Sequence, residues 1–407
     1  MRVSSNNANM ASVSILQQRQ QELQQAQEQM TSGKRIARPS DDPAGIARAE
    51  RALSAQVRGE SMQRALAASR NAMTLSESAI GSASDLIQGA REAILAAGNG
   101  TYSAAERKSL AVQLREIRGQ LLTVANQSDG STGYLFGGQG ATQPPFVDTP
   151  DGVRSLATSG ASNGAPGENL PLSVDGSAVW LQANSGNGVY ETQAAPGNAG
   201  SAWISAGQVS DPSLLQGKDY QVTFVAVPGA TTYTVTDSAG AVVNDVDGNA
   251  LQDVPYRDGK AITGVPGMSF SIAGAPVTGD RFDLVQSTPD LSVFDALDRV
   301  LVGLENPQAG NGQVMQAVNS GVRDMDQALA NFQSARARVG ETLNRLDGME
   351  SRNGAAILSA QTTRSNAEDL DMVQAVSDFT NKQTSYQAAL QSYSMVQKLS
   401  LFNYLNP

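Results

Sequence analysis

Neither cysteine nor histidine occurs among the 407 residues of the chain. The first absence removes disulfides, thiol nucleophiles and thiolate metal ligands. The second removes the commonest general acid/base and the usual zinc, haem and copper ligands. Most familiar catalytic constellations therefore cannot be built, although a chain without cysteine suits a reducing or an oxidising compartment equally. Positive charge is also in deficit: 29 Lys and Arg stand against 39 Asp and Glu, giving a net charge of −10 and a pI near 4.7. No basic stripe offsets that balance, so neither nucleic acid nor an anionic membrane surface is expected as the main partner. No apolar run reaches the roughly 18 residues of a membrane span, so membrane insertion is not expected either. Residues 1–30 lack the charged-then-apolar order of a cleavable signal peptide.

What is present is helical pattern at both ends and strand pattern between them, in a chain too long for one ordinary core. Val13, Leu16, Gln20, Leu23, Gln27 and Met30 recur in steps of three and four and mark one helical seam. Asp42 and Pro43 then supply a cap and a first-turn residue for a new helix. Within that helix Leu66, Met73, Ile80, Ile87 and Ile94 repeat every seven residues, with Ser69, Ser76, Ala83 and Ala90 between them. Small residues at alternate seam positions let a neighbouring helix come close, which predicts a central place in a bundle. Ser103 and Glu106 form a capping-box pattern ahead of Leu110, Leu114, Ile117, Leu121 and Val124, in a helix expected to end near Asp129-Gly130.

Residues 141–289 change to Gly, Pro and short alternating runs: Tyr220, Val222 and Phe224; Tyr233 and Val235; Met268, Phe270 and Ile272; Phe282 and Leu284. This insert holds fourteen acidic and five basic residues, so nearly all the net negative charge sits there and the helical parts are close to neutral. Helical pattern resumes at Leu291, Phe294, Leu297, Leu301 and Leu304. It continues through Met315, Val318, Val322, Met325, Leu329, Phe332, Arg336, Val339, Leu343 and Leu346. A last helix carries Met372, Val376, Phe379, Gln383, Tyr386, Leu390 and Tyr393 at heptad spacing. The expectation is an α + β multi-domain chain, a long antiparallel helical bundle with terminal coiled-coil arms and an all-β insert domain. Its parts are an N-terminal arm at 1–38, bundle at 39–140, insert at 141–289, bundle again at 290–365 and a C-terminal arm at 366–407.

Two arms of similar length can pair, but Gln20, Gln27 and Gln383 in their seams leave too little apolar burial for an isolated two-helix pair. Arms that order mainly on identical or related arms are one reading. Periodicity alone leaves an ordinary intramolecular bundle equally open. Lys34, Arg35, Asp41 and Asp42 fit subunit contacts or the caps and solvated charges of a helix restart. Tyr386, Tyr393, Leu401 and Phe402 lie so near the end of the chain that fraying is expected unless they dock.

Chemical motifs are weak. Asp245, Asp247 and Asn249 have calcium-loop spacing, yet Ala250 replaces the turn Gly and Tyr256 the bidentate Glu. Gly33-Lys34 and Gly217-Lys218 lack the rest of a phosphate-binding loop, and Gly133, Gly137, Gly138 and Gly140 make no dinucleotide fingerprint. No catalytic residue, cofactor or metal site is expected.

Thr31-Ser-Gly-Lys-Arg-Ile36, followed by Pro39-Ser-Asp-Asp-Pro-Ala-Gly45, resembles the N-terminal signature of the flagellin superfamily. Met1-Arg-Val-Ser4, Gly133-Tyr-Leu-Phe-Gly-Gly138 with Pro145-Phe146, and Leu399-Ser-Leu-Phe402 narrow the resemblance to the hook-associated protein 3 family. The similarity covers about 1–146 and 290–407, with only the Gly279-Asp-Arg-Phe282 pattern in the insert. It implies a structural flagellar protein, not an enzyme, exported unfolded by a type III apparatus and sited at the hook–filament junction outside the cell. The implied partners are further copies in a homo-oligomeric ring, the neighbouring hook-associated protein, flagellin and an export chaperone. The arms would line an inner tube and the insert would face outward. The interface residues expected are Val13, Leu16, Leu23, Met30, Lys34, Arg35, Asp41, Asp42, Met372, Val376, Phe379, Tyr386, Leu390, Tyr393, Leu401 and Phe402. A filament flagellin shares the arms and the hinge motif, and a secreted binding module with a helical stalk and a receptor- or carbohydrate-binding insert also stays open. An enzyme would need a carboxylate pair facing one cleft. The insert is larger than in compact family members, and Asn403-Tyr-Leu-Asn-Pro407 matches no family ending.

Overall fold

The computed structural model describes residues 2–405 except 101, 131–132, 165–168, 228 and 307–308, with side chains outside 2–9, 396 and 398–405. Helices α1 (Arg2–Ser32), α2 (Pro43–Ala97) and α3 (Ala104–Ala125) precede a hairpin of β1 (Phe146–Thr149) and β2 (Gly152–Ser155). After the one-turn helix α4 (Gly176–Trp180) come β3 (Tyr190–Ala194), β4 (Trp203–Ile204), β5 (Gln208–Val209), β6 (Tyr220–Val227) and β7 (Ala230–Asp237). Strands β8 (Val254–Pro255), β9 (Ala261–Ile262), β10 (Met268–Ala273) and β11 (Arg281–Gln286) finish the insert. Helices α5 (Val293–Glu305), α6 (Asn311–Glu368) and α7 (Met372–Leu405) complete the α + β chain. It divides into two compact units, residues 65–347 and residues 1–64 with 348–407.

In the 65–347 unit the heptad seam of α2 is closed. Leu66, Met73, Ile80, Ile87 and Ile94 are buried, and so are the small residues Ser69, Ser76, Ala83 and Ala90 between them. The two buried hydroxyls are satisfied by backbone, Ser69 donating to the Pro171 carbonyl at 2.7 Å and Ser76 to that of Ala72 at 2.8 Å. Unpaired, each would cost on the order of 1–3 kcal/mol. Helix α6 runs antiparallel beside it, as ion pairs Arg70–Asp347, Glu77–Arg336 and Arg91–Asp326 show by their opposed numbering. On α6 one row of the expected seam is buried, Val318, Met325, Phe332, Val339 and Leu346. The alternate row is half-buried, and Arg336, the one charged seam residue, is exposed and paired with Glu77. The capping box forms as its sequence predicts, with Ser103 accepting from the Glu106 N–H and Glu106 from that of Ser103. That helix stops at Ala125 with Asn126 as its C-cap, a few residues earlier than the Asp129-Gly130 turn implies.

The insert is built on an antiparallel sheet in the order β3-β11-β6-β7-β8, with a second sheet centred on β10. Register puts Val222 opposite Val235 and Phe282, and Phe224 opposite Tyr233. These inward positions join Met268, Phe270, Ile272 and Leu284 in one apolar core. Each such side chain contributes about 1.5–3 kcal/mol by leaving water. Besides a 3-10 turn at Pro212–Leu214, one α-helical turn, α4, interrupts the otherwise β-rich insert. It is capped by Asp175, and its last residue, Trp180, lies among Phe136, Phe146, Phe294 and Phe332 at centroid distances of 4.9–6.3 Å. The rings come from the Gly133–Gly138 loop, β1, α5 and α6, so one aromatic cluster ties the insert to the bundle. Gly138 is required there: its φ is +57° and a Cβ would collide with the Thr158 carbonyl oxygen. A buried ionic knot adds to the tie, since Arg323 of α6 donates to the Thr192 carbonyl and pairs with Glu191 and Asp324.

Both tryptophans, Trp180 and Trp203, lie in this unit, so their fluorescence reports its unfolding. Ile87→Ala is expected to lower its stability by about 2–4 kcal/mol in a urea titration. Val302→Ala, at a position 72% exposed, should change it by less than about 0.5 kcal/mol.

Candidate subunit interface

The unit formed by 1–64 and 348–407 pairs α1 with α7, and joins α2 to α6 through Gly59 and Gln63 with Asn353 and Glu350. Leu16, Leu23 and Met30 on α1 and Phe379, Tyr386 and Tyr393 on α7 are half-buried. Among the described side chains of α1, only Ala26 is fully buried. Val13, Met372, Val376 and Leu390 are exposed by 37–48%, and Met10, Ile15, Val373 and Met395 by more. Gln20, Gln27 and Gln383 face solvent, so the arm seam is one apolar row wide where the sequence pattern implied two. The structure therefore brings six of the expected apolar interface residues into the intrachain seam and leaves four outside it. The Leu401 and Phe402 side chains lie outside the described residues.

The charged candidates gather at the joints between arm and bundle. Helix α1 ends at Gly33, whose φ of +69° turns the chain. Lys34 then pairs with Asp369 as an antiparallel bridge, the Arg35 N–H donates to the Glu368 carbonyl at 2.8 Å and the Leu370 N–H to that of Gly33 at 3.0 Å. Lys34 Nζ lies 3.4 Å from Glu368, and the Arg35 guanidinium donates to the Ala367 carbonyl at 2.6 Å and to Asp42 at 3.3 Å. Asp41 accepts from the Ala37 and Arg38 N–H groups, and Asp42 caps α2 by accepting from the Gly45 N–H at 2.8 Å. That bond, aided by Arg35, holds the Asp42 carboxyl below its ordinary range. Ile36 is buried beneath the cap, and a Cβ at Gly45 would meet its Cδ1 at 2.6 Å and the Asp42 Oδ2 closer still.

Among the described residues no group of three or more His, Cys, Asp or Glu is placed to hold a metal ion, and no helix is long and apolar enough to cross a membrane. The Asp245 loop closes on itself, its carboxylate accepting from the Asp247 and Asn249 N–H groups. What the arm unit offers is surface, two paired terminal helices with an uncovered apolar side.

Residues 3–141 match the bacterial flagellin N-terminal helical region and 322–405 the C-terminal one, together more than half of the chain. Flagellar hook-associated protein 3 of Salmonella typhimurium is 25% identical over 408 residues, covering 99% of each chain. The Escherichia coli protein of the same name is 24% identical and covers 92% of this chain and 90% of its own. A crystal structure of Xanthomonas campestris FlgL superposes with a TM-score of 0.67 at 26% identity, covering 78% of this chain and 99% of that one. The chain belongs to the flagellin superfamily and, within it, to the hook-associated protein 3 (FlgL) family.

Two outcomes follow at the joint. Because Asp42 ionises below its ordinary value of 3.8, its cap is complete above about pH 4 and is lost as pH falls through the depressed value. The Gly45 amide resonance should then titrate with a midpoint under 3.8, and a higher midpoint contradicts the cap. Gly45→Ala should destabilise the arm unit by about 1–3 kcal/mol through overpacking. As a control away from the joint, Gly340→Ala, in a helix with open space around it, should stabilise the 65–347 unit by about 0.5–1 kcal/mol in thermal melts.

Proposed function

We propose that this chain is the subunit of the hook–filament junction and builds it by packing its terminal helices against those of neighbouring subunits. As a member of the family it is a structural component of the bacterial flagellum, acting outside the cell and without catalysis. The observation that carries the proposal is the open side of the arm pair: Val13, Met372, Val376 and Leu390 remain exposed although they share heptads with half-buried residues. A one-row seam is a weak basis for two helices in water. A further set of arms would cover the exposed row and complete the burial of Leu16, Leu23, Met30, Phe379, Tyr386 and Tyr393. Leu401 and Phe402 extend the same interface toward the C-terminus.

The arms at 1–38 and 366–407 are the assembling parts, 39–140 and 290–365 the bundle, and 141–289 an outward-facing acidic domain. Partners are further copies in a ring, the neighbouring hook-associated protein on one side, flagellin on the other, and an export chaperone before assembly. Similarity along the whole length to hook-associated protein 3 supports a junction subunit over a filament flagellin.

Purified chain added to isolated hooks should bind to a small fixed amount per end and then stop. Growth without limit would make it a flagellin, and no binding would remove the junction role. Deleting about the last 20 residues should abolish binding while leaving tryptophan fluorescence unchanged. Normal binding by that truncation would contradict the arm interface.

A further inference from the structure

The joint between α1 and α2 and the joint between α6 and α7 are far apart in sequence, yet they are bonded into one element. Segment 33–36 and residues 367–370 exchange backbone hydrogen bonds, Arg35 N–H to Glu368 O and Leu370 N–H to Gly33 O, around the Lys34–Asp369 bridge. The Arg35 side chain then reaches two helix ends at once. Its guanidinium donates to the Ala367 carbonyl, one of the last-turn acceptors of α6 that no helical N–H can satisfy. The same nitrogen also donates to the Asp42 carboxylate, the N-cap of α2. A cation is favoured at a helix C-terminus and an anion at an N-terminus, so Arg35 bridges two groups that each attract it. A lysine ammonium sits one bond nearer the backbone and is a strongly hydrated point charge, so it would not reach the same two acceptors.

We propose that Arg35 is a positioning residue that locks the two joints into a single clasp, already closed before assembly, so that α1 and α7 turn together and present their open face as one surface. Lys34, Arg35, Asp41 and Asp42 then act within the chain. Their partners are Glu368, Ala367, the Ala37 and Arg38 amides and Gly45, and a neighbouring subunit meets the apolar rows instead. Arm rotation about one joint alone would break the backbone pairing at the other.

Amide hydrogen exchange on the unassembled full-length chain tests the clasp itself. The Arg35 and Leu370 amides should be protected in the wild type. In Arg35→Ala both should exchange faster by about tenfold or more, and in Arg35→Lys they should not recover fully. The amides of residues 80–94 should be unchanged, which separates loss of the clasp from general unfolding. A wild-type Leu370 amide that exchanges like unstructured chain overturns the proposal, as does an Arg35→Ala variant with both amides unaltered.

A second measurement uses the absence of native cysteine. Lys34→Cys with Asp369→Cys places two thiols at directly opposed strand positions, within disulfide reach. The oxidised chain should bind hook ends as well as its reduced form. Failure of the oxidised form alone would show that the clasp must open and would overturn the proposal. This readout rests on the junction role: if neither form nor the wild type binds, that role fails and the exchange result still decides the clasp.

Discussion

A heptad seam is fully buried in one part of this chain and only half-buried in the other, and the account of its function follows from that contrast. In the 65–347 unit every large seam residue of α2 from Leu66 to Ile94 is buried, and small residues fill the alternate positions. The sheets enclose a further core from Tyr190 to Leu284. In the arms the best-covered row stays half-buried and a second apolar row lies open. Apolar surface of this kind on the two terminal helices marks an interaction site, and its helical periodicity specifies another helix as the cover.

Charge is distributed to suit that division. The acidic excess lies in the insert, where repulsion keeps surfaces apart, and the helical parts are close to neutral. Of the buried charges, Asp280 accepts from the Ala199, Gly200 and Val277 N–H groups, and Arg323 and Asp324 are held in ion pairs. Arg323 holds Glu191 and Asp324, and Arg118 of α3 holds Asp148 of β1 and Asp298 of α5. Buried pairs such as those of Arg323 add little net stability compared with apolar substitutes, but breaking one member is costly. They favour one seating of the insert on its helices. The aromatic cluster around Trp180 supplies the non-directional part of the same attachment.

Much of this was legible in the sequence, because it rests on local periodicity. The seven-residue repeat from Leu66 to Ile94, the Ser103–Glu106 capping box, the Asp42 cap and the alternating strands of the insert all occur where their patterns place them. The family resemblance of the hinge motif also agrees with the matched helical regions. The remainder depends on tertiary pairing that periodicity does not encode. The Trp180 cluster draws rings from five separate segments. Arg323 and Asp324 sit between seam residues and face the insert, which a heptad count passes over. A 3.5-residue repeat marks two rows without saying which faces the partner, and so Gln20, Gln27 and Gln383 counted as seam though they face water. Glu368 and Ala367, which Lys34 and Arg35 reach across the clasp, lie more than 300 residues away, beyond any local signal.

Methionine oxidation, read residue by residue in free chain and in chain bound at hook ends, tests the central claim most directly. Met10, Met372 and Met395 of the arms are exposed, and Met73 and Met325 of the bundle are buried. The account predicts rapid sulfoxide formation at the arm positions in the free chain, strong protection of them after binding, and slow oxidation of Met73 and Met325 in both states. Arm methionines that oxidise at the same rate before and after binding would contradict it.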